Sequence, residues 1–235
     1  MLFVTADLHG FPLHKFLALL NKAEFGKRED DFLFILGDVI DRNGDGGIET
    51  LLWLTTRPDV QLILGNHEAM LLSCSWILDE ISESSIASLS PRRMELLANW
   101  MNNGAEPTLK SLRALQKLDP ERVNDLFDYL NDCPLYETVR AGNRGFILTH
   151  GGLGNFSPDK KLSEYTPDEL LWSRPLPDDR YFSDKLTVLG HTPTGYYGYP
   201  YRNRIFRTPT WVDIDTGDTP CILRLDDMAE FYVDE

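Results

Sequence analysis

Apolar and polar positions alternate in a regular way through the first third of the chain. Leu2–Ala6 reads as a short buried strand, and Leu13, Phe16, Leu17 and Leu20 then recur at helical spacing. Phe32–Leu36 is a second apolar run, followed by Ile48, Leu51 and Leu52 at the start of a second helix. Val60–Leu64 is a third run, followed by a helical pattern over Ala69–Leu78. Strands that read as continuous apolar runs and alternate with helices predict a largely parallel sheet covered on both faces. The pattern then changes. Ser90-Pro91 and Asp119-Pro120 are each an N-cap residue followed by proline at the first helical position. Met94, Leu97, Ala98 and Met101 form the stripe of the first of these helices, and Val123, Leu126, Phe127 and Leu130 that of the second. Residues 79–131 therefore predict a helical insertion, with a Ser-rich loop over Ile81–Leu89. After Pro134 strands return. Leu135–Arg140 and Gly145–Thr149 flank a hairpin turn, and Leu186–Leu189 is a further buried strand. Thr210–Ile214 and Cys221–Leu225 read as a closing hairpin. No internal repeat breaks the chain, so one domain over 1–235 is expected.

Composition narrows the function classes. The 235 residues carry 37 Asp and Glu against 23 Lys and Arg, a formal net charge of -14. That balance argues against nucleic acid or an anionic membrane as partner, since both select Lys/Arg clusters. Three cysteines, Cys74, Cys133 and Cys221, are too few and too odd for a disulfide framework, which points to a reducing compartment. Met1 leads directly into a strand with no basic flank, and no run reaches the roughly 18–20 apolar residues of a membrane helix. A cytoplasmic protein is expected.

Five of the apolar runs end in residues able to bind metal. They end in Asp7-Leu8-His9-Gly10, Gly37-Asp38-Val39-Ile40-Asp41-Arg42, Gly65-Asn66-His67-Glu68, His150-Gly151-Gly152 and Gly190-His191. In open α/β sheets ligands gather at the carboxyl ends of strands, so these segments are expected to converge. Asp7 and His9, at i and i+2 of an extended segment, point to one side and can grip one ion. Asp38 has two oxygens and can bridge to a second ion, which Asn66, His150 and His191 complete. A mixed N/O set without cysteine suits manganese, iron or zinc better than magnesium or calcium. Two such ions can activate a bridging water and screen a phosphoryl group undergoing in-line displacement. Four of the five histidines lie in these segments; His14 is expected on a solvated helix face.

The order and spacing of these motifs from residue 7 to 191 resemble the phosphoprotein phosphatase branch of the calcineurin-like metallophosphoesterases, in its bacterial and phage form. The family pattern has glycine after the Asp-Arg pair, where this chain has Asn43, a residue that tolerates left-handed backbone. The resemblance implies a sandwich of mixed β-sheets flanked by helices. It also implies Asp7, His9 and Asp38 on one metal and Asp38, Asn66, His150 and His191 on the other. It makes His67 the donor of a proton to the leaving oxygen, oriented by Asp41. Arg42 becomes a phosphate clamp, and Leu171-Trp172-Ser173-Arg174, similar to a Trp-Ser-Arg segment of bacterial members, offers Arg174 as a second. The implied activity is a two-metal phosphomonoesterase, manganese first among its ions, acting on phosphoserine and phosphothreonine in proteins, and on phosphotyrosine as a further ester. Attack is by a metal-activated water. Symmetrical dinucleoside tetraphosphatases share the motifs and are the alternative; a small phosphate ester is then the partner. A non-catalytic module on this fold would be expected to lack ligands, and none is missing. Trp100-Met101-Asn102-Asn103-Gly104 resembles a segment near the site in bacterial members but equally suits a helix C-cap. Tyr196, Tyr197, Tyr199 and Tyr201 could stack a nucleobase or pack their own loop.

Overall fold

The alternation of the first third folds as its periodicity dictates. The computed structural model describes residues 1–79 and 89–234. Strands β1 (Leu2–Thr5), β2 (Phe32–Ile35) and β3 (Val60–Leu62) run parallel, with Leu2 opposite Phe32 and Leu33 opposite Val60. Helices α1 (Leu13–Lys22) and α2 (Ile48–Leu54) supply the crossovers that parallel strands require, and α3 (Asn66–Ser73) follows β3. Successive side chains of a strand face opposite ways. Phe3, Leu33 and Ile35 pack on the helices, while Val4, Phe34 and Leu36 pack on a second sheet. Both faces are buried, which is why the strands read as unbroken apolar runs.

The insertion contributes α4 (Pro91–Asn102), α5 (Glu106–Leu118) and α6 (Pro120–Asn131). Ser90 and Asp119 accept backbone N–H groups of Arg93 and Arg122, as the N-cap signals predict. Trp100, Leu109, Leu112, Leu126 and Leu130 join the helix-side core. After the insertion come β4 (Tyr136–Ala141), β5 (Arg144–Thr149), the short helix α7 (Pro167–Leu171), β6 (Lys185–Leu189), β7 (Phe206–Arg207) and β8 (Trp211–Asp213). The second sheet has the order β4-β5-β6-β8-β7. β5, β6 and β8 are parallel within it, with antiparallel strands at both edges. β9 (Cys221–Arg224) and β10 (Ala229–Tyr232) complete the first sheet as β10-β9-β1-β2-β3. The fold is an α/β sandwich of two mixed sheets flanked by helices. Phe146, Leu148, Leu186, Val188 and Val212 form the second sheet's half of the inter-sheet core. Among the described residues no helix is long and apolar enough to cross a membrane.

Three expectations need correction. The closing hairpin does not form: β8 pairs with β6 and β7 in one sheet, whereas β9 pairs with β1 and β10 in the other. The turn between them carries the chain across the sandwich. The stripe of α4 is displaced, with Met94 and Met101 exposed and Trp100 at the packed centre. In α1, Leu17 is exposed and Leu19 takes its place in the core. The Ser-rich loop over Ile81–Leu89 lies, save for its last residue, outside the described residues.

Candidate metal centre

All five motifs meet at the carboxyl ends of the parallel strands of both sheets. The geometry there differs from a simple extension of the strands. Asp7 (φ 53°), His9 (φ 42°), Asp38 (φ 55°), Asp41 (φ 76°), Arg42 (φ 69°) and His191 (φ 69°) all have left-handed backbone. For a non-glycine residue that conformation costs roughly 1–2 kcal/mol. Six such residues in one place mark a site whose surroundings hold it in a strained form. Asp7 and His9 therefore converge through consecutive tight turns, and the i, i+2 argument for them does not apply. Nor is Asn43 left-handed; its side-chain N–H donates to the His9 carbonyl at 3.0 Å, and Gly44 takes the positive φ instead. Gly37 packs so closely on Gly65 that an added Cβ would lie 2.4 Å from the Gly65 Cα.

Asp38 is the centre of the arrangement. Its Oδ2 lies 3.6 Å from His9 Nε2 and 3.8 Å from His67 Nε2, and its Oδ1 lies 3.4 Å from His150 Nε2. Two groups of potential metal ligands result, His9 with Asp38 and His67, and Asp38 with His150 and His191. Asp7 closes the first side, with Oδ1 4.0 Å from His9 Nε2 and Oδ2 accepting the His191 backbone N–H at 3.0 Å. Asn66 Oδ1 closes the second, 2.8 Å from His150 Nε2.

The donor set fits divalent cations on this structure's own geometry. His150 Nδ1–H donates to the Leu36 carbonyl at 2.6 Å, and His9 Nδ1–H donates to the Ile40 carbonyl at 3.0 Å. Those bonds leave the Nε2 lone pair of each ring aimed inward. His150 Nε2 then faces the Asn66 oxygen, and His9 Nε2 faces two carboxylates, so acceptors converge on acceptors. His191 Nε2 is buried with no hydrogen-bond partner. A positive ion in each position satisfies all of these atoms. The electrostatics agree. Burial pulls the His9 imidazole down to about 4 and the His191 imidazole down to about 2, and lowers His150 as well. Neutral imidazole is the form that binds metal. Burial works against the Asp38 anion, but His150, His67 and His9 hold it below the usual carboxylate range.

His67 is the exception among the four. Burial disfavours its charge, yet Asp38 and the hydrogen-bonded Asp41 outweigh that and raise its pKa above the ordinary value. Its Nδ1–H donates to Asp41 Oδ2 at 2.6 Å, and Arg42 Nη2 donates to its Nε2 at 3.2 Å. Neighbouring rings whose environments push their pKa values apart suit different roles, ligand and proton donor. Arg174 sits at the rim, its Nη1 donating to the His191 carbonyl at 2.7 Å and to Thr192 Oγ1 at 3.2 Å. Trp172 stands edge-on to the His191 ring at 6.0 Å. A groove of about 550 Å³ opens beside His9 and Arg42, bounded by Tyr196, Arg202, Asn203 and Asp215.

The structure thus brings together Asp7, His9, Asp38, Asp41, Arg42, Asn66, His67, His150 and His191, with Arg174 adjacent. Sequence reasoning placed Glu68 in the third motif but gave it no role; its carboxylate accepts the backbone N–H groups of Asp38, Val39, Ile40 and Gly65 and so fixes the second and third loops together. Its place directly after Asn66-His67 was a usable signal. Sequence reasoning missed Thr108, and it gave Trp100 no bond to Asp41. Both side chains bond that carboxylate. Asp213 and Asp215 lie buried beside Asp7 with no sequence signal beyond their position after an apolar strand.

Comparisons with known proteins give similarities at the level of family and fold. A family model described as calcineurin-like phosphoesterase matches residues 2–218. A symmetrical bis(5'-nucleosyl)-tetraphosphatase of Buchnera aphidicola subsp. Acyrthosiphon pisum is 33% identical over 103 residues, 42% of this chain and 36% of the relative. One from Buchnera aphidicola subsp. Schizaphis graminum is 28% identical over 124 residues, 52% of this chain and 41% of the relative. The matched stretch spans well under half the length of either relative. A protein provisionally assigned as a diadenosine tetraphosphatase superposes with a TM-score of 0.61 at 17% identity, covering 99% of this chain and 92% of that one. A Saccharomyces cerevisiae protein serine/threonine phosphatase superposes with a TM-score of 0.55 at 16% identity, covering 100% and 80%. At such identities the superpositions speak for the fold.

Proposed function

The chain belongs to the calcineurin-like phosphoesterase family, and from that premise we propose a two-metal phosphoesterase that splits dinucleoside polyphosphates symmetrically. The observation that carries the chemistry is the pair of ligand clusters sharing Asp38. The substrate half of the reading draws on the names of the Buchnera relatives and on the groove beside Arg42. At about 550 Å³ that groove is within the range of small-molecule sites, and the ring of Tyr196 on its wall is 81% exposed. Phosphoserine and phosphothreonine in proteins, the first reading of the sequence, become the second reading.

Asp7, His9 and Asp38 would hold one ion, and Asp38, Asn66, His150 and His191 the other, with manganese expected ahead of iron or zinc. When bound, two divalent ions acidify the attacking water and neutralise the phosphoryl oxygens. Arg42 clamps the phosphate and in doing so leaves His67 Nε2, which is then free to carry a proton. As the bond from phosphorus to the leaving oxygen breaks, that oxygen takes the Nε2 proton, and His67 recovers one from solvent. Asp41 keeps the other ring nitrogen occupied. Arg174 supplies a second guanidinium at the rim. The free cysteines suit a cytoplasmic setting.

A substrate panel tests the proposal. Diadenosine tetraphosphate, a phosphoserine peptide and an aryl phosphate are assayed with manganese, iron and zinc separately. ADP as the dominant product from the dinucleotide, at higher kcat/KM than the peptide, is expected. Faster release of phosphate from the peptide would move the assignment to the second reading, and turnover of none of them would end both.

A further inference from the structure

We infer that the helical insertion belongs to the catalytic apparatus, with Trp100 and Thr108 as positioning residues that lock the Asp41 carboxylate and, through it, the ring of His67. The inference rests on the proposed proton-donor role of His67. Asp41, Trp100, Thr108 and His67 are all essentially without solvent exposure. Trp100 Nε1 donates to Asp41 Oδ2 at 2.8 Å, the same oxygen that receives His67 Nδ1–H. Thr108 Oγ1 donates to Asp41 Oδ1 at 2.5 Å and accepts the Asp41 backbone N–H at 3.0 Å. A carboxylate held by one oxygen can still turn about its own bond. Held by both, from two different helices, it presents a single fixed lone pair to His67.

The insertion docks on this loop at further points. The Arg42 backbone N–H donates to the Gly104 carbonyl at 2.9 Å. An added Cβ at Gly104 would lie 2.9 Å from Arg42 Cγ. At Gly46 it would lie 2.2 Å from the Thr108 nitrogen. Both the proposed phosphate clamp and the residue that orients the acid are therefore seated by α4, α5 and the turn between them. A proton donor off its line by a fraction of an ångström loses much of its effect, because the transfer needs hydrogen-bond reach to the leaving oxygen. The competing account is that Trp100 and Thr108 merely satisfy buried polar groups and stabilise the fold.

Leaving-group dependence separates the two accounts. An acidic phenol departs as its anion without help, whereas phenol or an alcohol needs the proton that His67 supplies. Thr108→Val and Trp100→Phe each remove one donor and keep most of the volume. They are compared with wild type and His67→Asn on 4-nitrophenyl phosphate and on phenyl phosphate, in manganese-loaded protein of equal metal content. Both variants are expected to lose about ten-fold more kcat on phenyl phosphate than on the nitrophenyl ester, a fraction of the 10²–10⁴-fold value of a general acid. His67→Asn should show the same skew more strongly, and Thr108→Ser should restore the wild-type ratio. The downfield proton resonance of the Nδ1–H to Asp41 bond should shift in both variants.

Equal losses on the two esters, or no loss, overturn the inference. So does an unrestored ratio in Thr108→Ser. If Thr108→Val fails to fold, Trp100→Phe decides alone by the same ratio. A skew in His67→Asn with none in the insertion variants removes the inference and leaves the function standing. No skew in His67→Asn removes the proton-donor role and the inference with it.

Discussion

Asp7, Asp213 and Asp215 form a buried acidic group beside the candidate ligand clusters, and on the proposed function their protonation would couple metal binding to pH. Burial, with Asp215 and Asp38 close by, pushes the Asp7 carboxyl well above its usual value. Burial pushes Asp215 up to about 7 and, with Asp215 adjacent, raises Asp213 as well. A raised carboxyl contributes stability that is complete below the unfolded pKa and is lost as pH rises through the folded one. The lowered imidazoles of His9, His150 and His191 act in the opposite sense below about 6.5, where the unfolded rings charge. The two sets offset one another between pH 4 and 6.5. Above that range the imidazoles of His9, His150 and His191 are neutral in both states, and the raised carboxyls act together with His67, whose pKa also lies above the ordinary value. The metal-free protein should therefore lose thermal stability from pH 6.5 to 8, by up to about 1.4 kcal/mol per pH unit for each carboxyl in transition. The manganese-loaded protein should not, because the ions favour the anions. Calorimetry of both forms across that range checks this; a metal-free melting temperature that rises with pH would contradict it. At this scale the convergence of the candidate ligands was legible because each follows an apolar run. The left-handed backbone that aims them was not, since Asp and His are unremarkable residues until their φ is known.

Helices and strands were legible to the extent that one face of each decides its packing. In α6, Val123, Leu126 and Leu130 are buried as the stripe predicts. In α4, which packs on α3, the stripe misleads in part: Leu97 lies against the core, but Trp100 rather than Met94 or Met101 is the buried residue, with its Nε1 donating to Asp41. Thr210–Ile214 and Cys221–Leu225 look like a hairpin for want of any local signal that a turn leaves one sheet for another. The docking of the insertion gives the prediction at this scale. Gly46 has φ +71°, and a Cβ there would lie 2.2 Å from the Thr108 nitrogen and 2.5 Å from its Oγ1. Gly46→Ala should destabilise by about 1–3 kcal/mol and lower kcat on phenyl phosphate by more than the fraction unfolded explains. Denaturation curves and kinetics on one preparation test it, and unaltered kcat in the folded fraction would contradict it.

Two sheets, each with three parallel strands, place their carboxyl ends along one edge of the sandwich, and the ligands come from both. The sandwich was expected from the motifs' resemblance; the alternating strands predicted one parallel sheet and gave no sign of the second. The first sheet supplies Asp7, His9, Asp38 and Asn66, and the second His150 and His191. Neither sheet alone carries the full set of candidate ligands, so the proposed metal binding would tie the two halves together. The formal charge of -14 is compatible with an anionic substrate on this account, because two divalent ions and two arginines concentrate positive charge where the phosphate lies. The most direct measurement of the central claim is a manganese titration of the metal-free protein, following bound ions by elemental analysis and hydrolysis of diadenosine tetraphosphate together. Activity that rises to a plateau at two ions per chain, and is absent in Asp38→Asn, is the predicted result. A plateau at one ion, or full activity in excess chelator, would contradict a dinuclear centre bridged by Asp38.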